Sequence, residues 1–229
     1  YCVQGLTRMR ISEIFYSLQG EGMLAGTPSI FVRTAGCNLR CVWCDTPYAS
    51  WNPEGEERSL GPLLADVRRH WGVRHVVVTG GEPMICDDIT LFTERLKQDE
   101  FHITIETAGT VFKPVTCDLM SISPKLANST PWRREGGRWA RQHEDLRYRP
   151  EVLKQLISAH DYQLKFVMVK PEDIEEALRI VQEIGADRDR VLLMAEAATP
   201  EMLTERNYWL AELCKQHVFR FSPRLHIDL

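Results

Sequence analysis

The stretch Arg33-Thr34-Ala35-Gly36-Cys37-Asn38-Leu39-Arg40-Cys41-Val42-Trp43-Cys44-Asp45-Thr46 decides how the rest of the chain reads. Its cysteines fall at C-x3-C-x2-C, a spacing that lets three thiolates wrap one face of a cubane iron–sulfur cluster, each taking one iron. Three ligands leave the fourth iron open, whereas electron-carrying clusters are closed by a fourth Cys. An open iron points to a small molecule bound at the metal and to chemistry at the cluster itself. Structural zinc, the main competitor, wants four protein ligands, usually as two close pairs. No nearby His completes this set, and Cys2, Cys86, Cys117 and Cys214 stand apart, as core residues or surface thiols.

With 229 residues, 44% of them hydrophobic, the chain can bury a full core as one domain spanning 1–229. A complete eight-fold barrel takes about 250 residues, and a long cysteine loop and an Arg-rich segment use part of the length here, so an incomplete (β/α) barrel fits better. The net charge of −4 gives no global attraction to nucleic acid or to an anionic membrane. No stretch is long and apolar enough to span a bilayer. No charged-then-apolar leader is evident, so the expected compartment is the reducing cytoplasm, where clustered thiols mean metal or catalysis. Residues 1–8, before Met9, read as a short leader or an expression remnant without a structural role.

Outward from the cysteine loop, strands and helices alternate. Residues 11–17 read as a strand ending in the turn Gln19-Gly20-Glu21-Gly22, and 29–34 as a buried strand delivering Arg33 to the loop. Ser59 is placed to cap a helix carrying Leu60, Leu63, Leu64, Val67 and Trp71, followed by strand 75–79 and the turn Gly80-Gly81-Glu82-Pro83. The paired glycines there let backbone come close to a ligand, and Pro83 fixes the turn. Helix 88–97, strand 101–106 and strand 119–123 follow, the last stopped by Pro124. Then come helix 151–159, strand 163–169, a helix from Pro171 with Ile174, Ala177, Leu178, Val181 and Ile184 on one face, strand 190–194, helix 200–217 and strand 218–221. Such alternation implies a mostly parallel sheet, with functional residues gathered at strand ends.

Residues 132–149 set Arg133, Arg134, Arg138, Arg141, Arg147 and Arg149 among Trp132, Trp139, His143 and Tyr148. Basic residues interleaved with aromatics can bind single-stranded nucleic acid, but Glu135, Glu144 and Asp145 dilute the charge, so nucleic acid is not an expected partner. A solvated insertion is the simplest reading, and a docking face for an acidic protein is the other.

C-x3-C-x2-C, preceded by Ser17-Leu18-Gln19-Gly20-Glu21-Gly22 and followed by Thr79-Gly80-Gly81-Glu82-Pro83 and Ser123-Pro124-Lys125, resembles the 7-carboxy-7-deazaguanine synthase family of radical S-adenosylmethionine (SAM) enzymes. The resemblance runs from about Ile11 to about His226. It implies a radical SAM lyase that takes 6-carboxy-5,6,7,8-tetrahydropterin to 7-carboxy-7-deazaguanine with loss of ammonia, on the route to 7-deazapurines such as queuosine. SAM would bind the open iron and be cleaved by one electron, and the resulting radical would take hydrogen from C6 of the substrate inside a cavity that excludes water.

The resemblance also implies site residues. Cys37, Cys41 and Cys44 hold a [4Fe-4S] cluster and Thr46 binds Mg²⁺. Trp43, Asp45, Gly80, Gly81, Glu82 and Glu106 face SAM, together with Ser123, Pro124, Lys125 and Glu196. Leu18, Gln19, Gly20, Glu21, Arg33, Thr79 and His226 face the substrate, with Arg33 on its carboxylate, a role suited to a planar guanidinium. No acid–base dyad is legible, which suits a radical carried by the cofactor. The expected partners are the pterin, a flavodoxin-like reductant and a second copy in a homodimer. Two alternatives stay open: an activase that makes a glycyl radical on a partner protein, and a non-enzymatic iron–sulfur electron-transfer or sensor protein.

Overall fold

Val76, Val77 and Val78 are fully buried, side chains on both faces of the strand alike, as expected at the centre of a sheet covered on both sides. In the computed structural model, which describes residues 8–69 and 72–228, this strand sits inside a nine-stranded sheet. β1 (Arg8–Leu18) runs antiparallel to β2 (Pro28–Thr34). After α1 (Pro47–Ser50), β3 (Glu56–Ser59) pairs with the outer side of β1, and α2 (Leu60–Arg68) leads to β4 (His75–Gly80). α3 (Ile89–Gln98), β5 (His102–Thr107) and β6 (Leu119–Ile122) follow. α4 (Ala140–Arg147), α5 (Pro150–Ala159), β7 (Tyr162–Met168), α6 (Asp173–Ile184) and β8 (Val191–Ala195) come next. α7 (Pro200–His217), β9 (Arg220–Phe221) and α8 (Leu225–Asp228) complete the described chain. The strand order is β3-β1-β2-β4-β5-β6-β7-β8-β9, parallel from β2 to β9, with β3 and β9 left as edges. This is an incomplete barrel.

Helical periodicity seats each helix on the sheet. α6 buries Ile174, Ala177, Ile180, Val181 and Ile184 on one face, and Gly185 ends it in a left-handed conformation at φ 68°. Phe92, Phe166, Ile103 and Ile105 are fully buried in one continuous apolar cluster.

Several expectations need correction. β3 was not expected, because Glu56, Glu57 and Arg58 have low strand propensity; a charged edge strand resists further pairing. Ser59 stands at the N-cap of α2 but its side chain accepts no capping bond, and Trp71, expected in that helix, lies outside the described residues. Of residues 1–8, Arg8 belongs to β1, opposite Ser59, and its amide donates to Asp88; residues 1–7 lie outside the described residues. Strand 218–221 shrinks to two residues because Val218 turns left-handed, at φ 56°, to end α7.

Candidate active site

The C-terminal ends of the parallel strands surround a cavity of about 330 Å³, within the size range of small-molecule sites. Cys37, Cys41, Cys44, Trp43, Asp45 and Thr46 line it from the cysteine loop. β1 and the turn after it contribute Leu18, Gln19, Gly20 and Glu21, β2 contributes Arg33, and the chain's tail His226. The ends of β4 to β6 supply Thr79, Gly80, Gly81, Glu106, Ser123 and Lys125. Three residues assigned to SAM contact by the resemblance do not reach the wall. The carboxylate of Glu82 is fully buried and spent on Thr107 Oγ1 (2.7 Å), Ala108 N (2.8 Å) and Met84 N (3.0 Å), stapling the Gly-Gly-Glu-Pro turn to the end of β5. Glu196 is held by Arg206, and Pro124 stands behind Ser123 and Lys125.

Gly80 and Gly81 line the cavity and also meet a packing demand. Gly80, at φ 149°, leaves no room for a Cβ against the Thr34 backbone, and a Cβ on Gly81 would collide with the carbonyls of Gly36 and Ala49. These glycines let the β4 turn press onto the start of the cysteine loop, where Gly81 N donates to Thr34 O and Glu82 N to Gly36 O.

The loop itself is held by short-range bonds. Cys37 Sγ accepts from Leu39 N at 3.3 Å, Cys44 Sγ lies 3.1 Å from Ser50 Oγ, and Trp51 Nε1 donates to Cys41 O at 3.0 Å. Burial pushes the thiols of Cys37 and Cys41 up to about 12; the Glu82 charge adds to this at Cys37, and Lys125 offsets only part of it at Cys41. Thr46 sits at the N-cap of α1 without using its hydroxyl as a cap, so Oγ1 remains turned to the cavity side, 3.9 Å from Cys44 Sγ.

Residues 132–149 are not the solvated insertion expected of an Arg-rich stretch. His143 is buried, its Nδ1 accepting from Arg40 N at 3.0 Å and its Nε2 lying 2.9 Å from Ser129 Oγ, while Ser129 O accepts from Val42 N. Arg40 N is thus fixed from this segment, and Val42 N by Ser129, which His143 contacts. Arg134 donates to Val42 O and stacks 3.8 Å from the Trp51 ring centroid. Packing of His143 and Trp139 against the loop outweighs the local charge, and Trp132, Arg133, Arg138, Arg141 and Arg149 remain exposed along the outer face together with Glu135, Gln142 and Asp145.

Opposite the thiols runs a chain of alternating charges that sequence reading did not assemble. Lys165 Nζ donates to Glu21 Oε2 (2.8 Å) and reaches Glu106 Oε1 (3.4 Å); Glu106 also accepts from Thr79 Oγ1 (2.9 Å) and Gln19 Nε2 (3.2 Å). Arg224, buried in the tail, donates to Ala197 O, Glu21 and Asp45. Burial alone would raise the Glu21 carboxyl, but the charges of Lys165 and then Arg224 overturn this and hold it at about 2. The tail is latched by Leu225 N to Gly20 O and Gly22 N to Ser222 Oγ. One signal was available in the sequence: Lys165 is a lone cation inside the apolar strand Tyr162–Met168, all of whose residues are buried.

The donor chemistry fits the groups the motif implies. Three thiols and no fourth line the cavity, and the other described cysteines lie elsewhere. Among the described residues no group of three His, Cys, Asp or Glu is set to hold one metal ion. A cubane makes a different demand, one separate thiolate for each of three irons. The hydroxyl of Thr46, not spent on a cap and 3.9 Å from Cys44 Sγ, is a hard oxygen suited to Mg²⁺.

Comparison with known proteins points to one family. The model of the Radical SAM superfamily matches residues 31–130. The chain is 43% identical to the 7-carboxy-7-deazaguanine synthase of Halobacterium salinarum, over 96% of this chain and 89% of that protein. It is 44% identical to the one of Rhodopirellula baltica, over 95% of this chain and 84% of that protein. The crystal structure of QueE from Escherichia coli superposes with a TM-score of 0.70 at 27% identity, covering 96% of this chain and 95% of that one. These relatives favour the synthase over the glycyl-radical activase or a non-enzymatic cluster protein. Thiol spacing, strand-end cavity and relatives converge: the chain belongs to the 7-carboxy-7-deazaguanine synthase family of radical SAM enzymes.

Proposed function

We propose that this protein converts 6-carboxy-5,6,7,8-tetrahydropterin to 7-carboxy-7-deazaguanine with release of ammonia, as a radical SAM lyase in a 7-deazapurine route. The reading is supported above all by one observation: the three thiols, the β4 turn and the Gln19–Glu21 turn meet in a single cavity. When bound, the [4Fe-4S] cluster and SAM supply the hydrogen-abstracting radical, and Mg²⁺ a hard charge beside substrate oxygen.

The chain's own residues bind and orient. Cys37, Cys41 and Cys44 hold the cluster, and Gly80, Gly81, Ser123 and Lys125 flank SAM, with Trp43 and Asp45 beside it. Thr46 offers its hydroxyl to Mg²⁺. Arg33, whose Nε is engaged by Glu13 at 2.6 Å, keeps its terminal nitrogens for the substrate carboxylate. Gln19 and Glu21 take the pterin ring, with His226 next to them. The apolar wall of Phe15, Phe31 and Leu39 excludes water from the reacting C–H bond. The working form is a homodimer in the cytoplasm, reduced by a flavodoxin-like protein. No helix among the described residues is long and apolar enough to cross a membrane.

Anaerobic incubation of the reconstituted protein with SAM, dithionite, Mg²⁺ and the pterin, read by mass spectrometry, tests the function. Formation of 7-carboxy-7-deazaguanine with 5′-deoxyadenosine is expected. SAM cleavage unaltered by the pterin, with no deazapurine formed, would overturn it.

A further inference from the structure

Lys165 is 3% exposed, projects from the middle of β7 into the cavity wall, and links two carboxylates that come from different parts of the sheet. Glu21 stands in the turn after β1 and Glu106 near the end of β5. Each carboxylate has other partners: Arg224 and His226 approach Glu21 from the tail at 3.4 and 3.7 Å, and Gln19 and Thr79 bond Glu106. Asp45 faces Arg224 from the cysteine loop. Among the described residues only Lys165 bonds both carboxylates, so it fixes their separation. A buried carboxylate without such a cation takes up a proton and changes from acceptor to donor.

We propose that Lys165 is a positioning residue for substrate recognition, holding the carboxylates of Glu21 and Glu106 in place as acceptors for a ring edge rich in N–H donors, such as the 2-amino-4-oxopyrimidine edge of a pterin. This rests on the functional reading above. Two fixed carboxylates favour a ligand presenting adjacent N–H groups over one presenting carbonyls, because the wrong ligand would leave buried charge facing acceptors. The ammonium is a poor proton donor in this role: although burial works against its charge, Glu106 and Glu21 outweigh that and raise its pKa above the ordinary lysine value. It therefore orients and does not shuttle protons.

The test is anaerobic pterin binding to the cluster-loaded protein between pH 5 and 8, with wild type, Lys165→Met, Lys165→Gln and Lys165→Arg compared alongside thermal unfolding and pterin-independent SAM cleavage. Lys165→Met should weaken pterin binding about 10- to 100-fold. The deficit relative to wild type should grow as pH falls, because the released Glu21 carboxylate takes up a proton. Lys165→Gln keeps an N–H donor, one bond shorter than the ammonium, and is the second neutral variant should Met fail to fold; it should show the same growing deficit at low pH. Lys165→Arg should restore the wild-type pH profile. A neutral variant that folds and binds pterin like wild type at every pH overturns the inference alone. Wild-type protein that cleaves SAM but binds no pterin overturns the functional reading and this inference with it.

Discussion

Glu13 Oε1 lies 2.6 Å from Arg33 Nε and 2.8 Å from Tyr48 Oη, so one carboxylate ties the guanidinium of β2 to the helix that follows the cysteine loop. Phe15 lies beneath the guanidinium, 5.5 Å from ring centroid to Cζ. Glu13→Gln keeps the shape but loses the charge that orients Arg33. The pair is part-exposed, so the expected effect is modest: KM for the pterin should rise roughly 3- to 10-fold. Uncoupled SAM cleavage should be unchanged. Arg33→Lys, which loses the planar fork, should raise KM further. Steady-state kinetics with both variants check this, and equal loss of both activities would point to misfolding.

Thr46→Ala removes an oxygen that the fold does not use as a cap. Turnover should fall and its response to added Mg²⁺ weaken, while iron content stays at the wild-type level. A titration of turnover against Mg²⁺ decides; an unaltered response would remove Thr46 from the metal site.

His143 is neutral in the fold: burial pushes its pKa down to about 4 from an ordinary 6.5. Its Nδ1 accepts from Arg40 N, so Nε2 carries the proton toward Ser129. A depressed histidine means that the unfolded chain binds the extra proton first. Stability is therefore complete above about pH 6.5 and is lost as pH falls toward 4, by on the order of 2 kcal/mol for this residue. His75, also lowered to about 4 by burial and by His102, adds to the same window. Thermal unfolding of His143→Ala should start about 1–3 kcal/mol less stable at pH 7.5. Its decline toward pH 4.5 should be shallower than that of wild type; a parallel decline would contradict the assignment.

Arg133 and Arg141 are exposed on the segment that packs on the cysteine loop, whereas Arg134 is tied to Val42 and Trp51. An acidic electron donor approaching a chain of net charge −4 would be guided to this basic face. Reversing Arg133 and Arg141 to Glu should slow flavodoxin-driven turnover at low salt and lose effect as added salt shortens the screening length to about 8 Å. Dithionite-driven turnover should hardly change. Equal losses with both reductants would assign the segment to the fold alone.

What was legible in the sequence was local. Valine-rich β4, the periodic face of α6 and the C-x3-C-x2-C loop announce themselves because each signal lies within a dozen residues of itself. The site's electrostatics do not. Lys165 meets Glu21 across 144 positions and His143 meets Arg40 across 103, and nothing local says which distant carboxylate or amide a buried cation or imidazole will find. The same holds for Gly81, whose need for a missing side chain comes from carbonyls of Gly36 and Ala49 brought there by the sheet. Composition misleads at residues 132–149, where arginines suggest water while His143 and Trp139 pack toward the cysteine loop.

The central claim is that Cys37, Cys41 and Cys44 hold one cluster with an iron left open to SAM. Iron analysis and electron paramagnetic resonance of the anaerobically reconstituted, dithionite-reduced protein, with and without SAM, test it most directly. The account predicts about four irons per chain, a reduced-cluster signal that changes on adding SAM, and loss of both in each of Cys37→Ala, Cys41→Ala and Cys44→Ala. Wild-type iron content in those three variants, or a cluster signal indifferent to SAM, would contradict it.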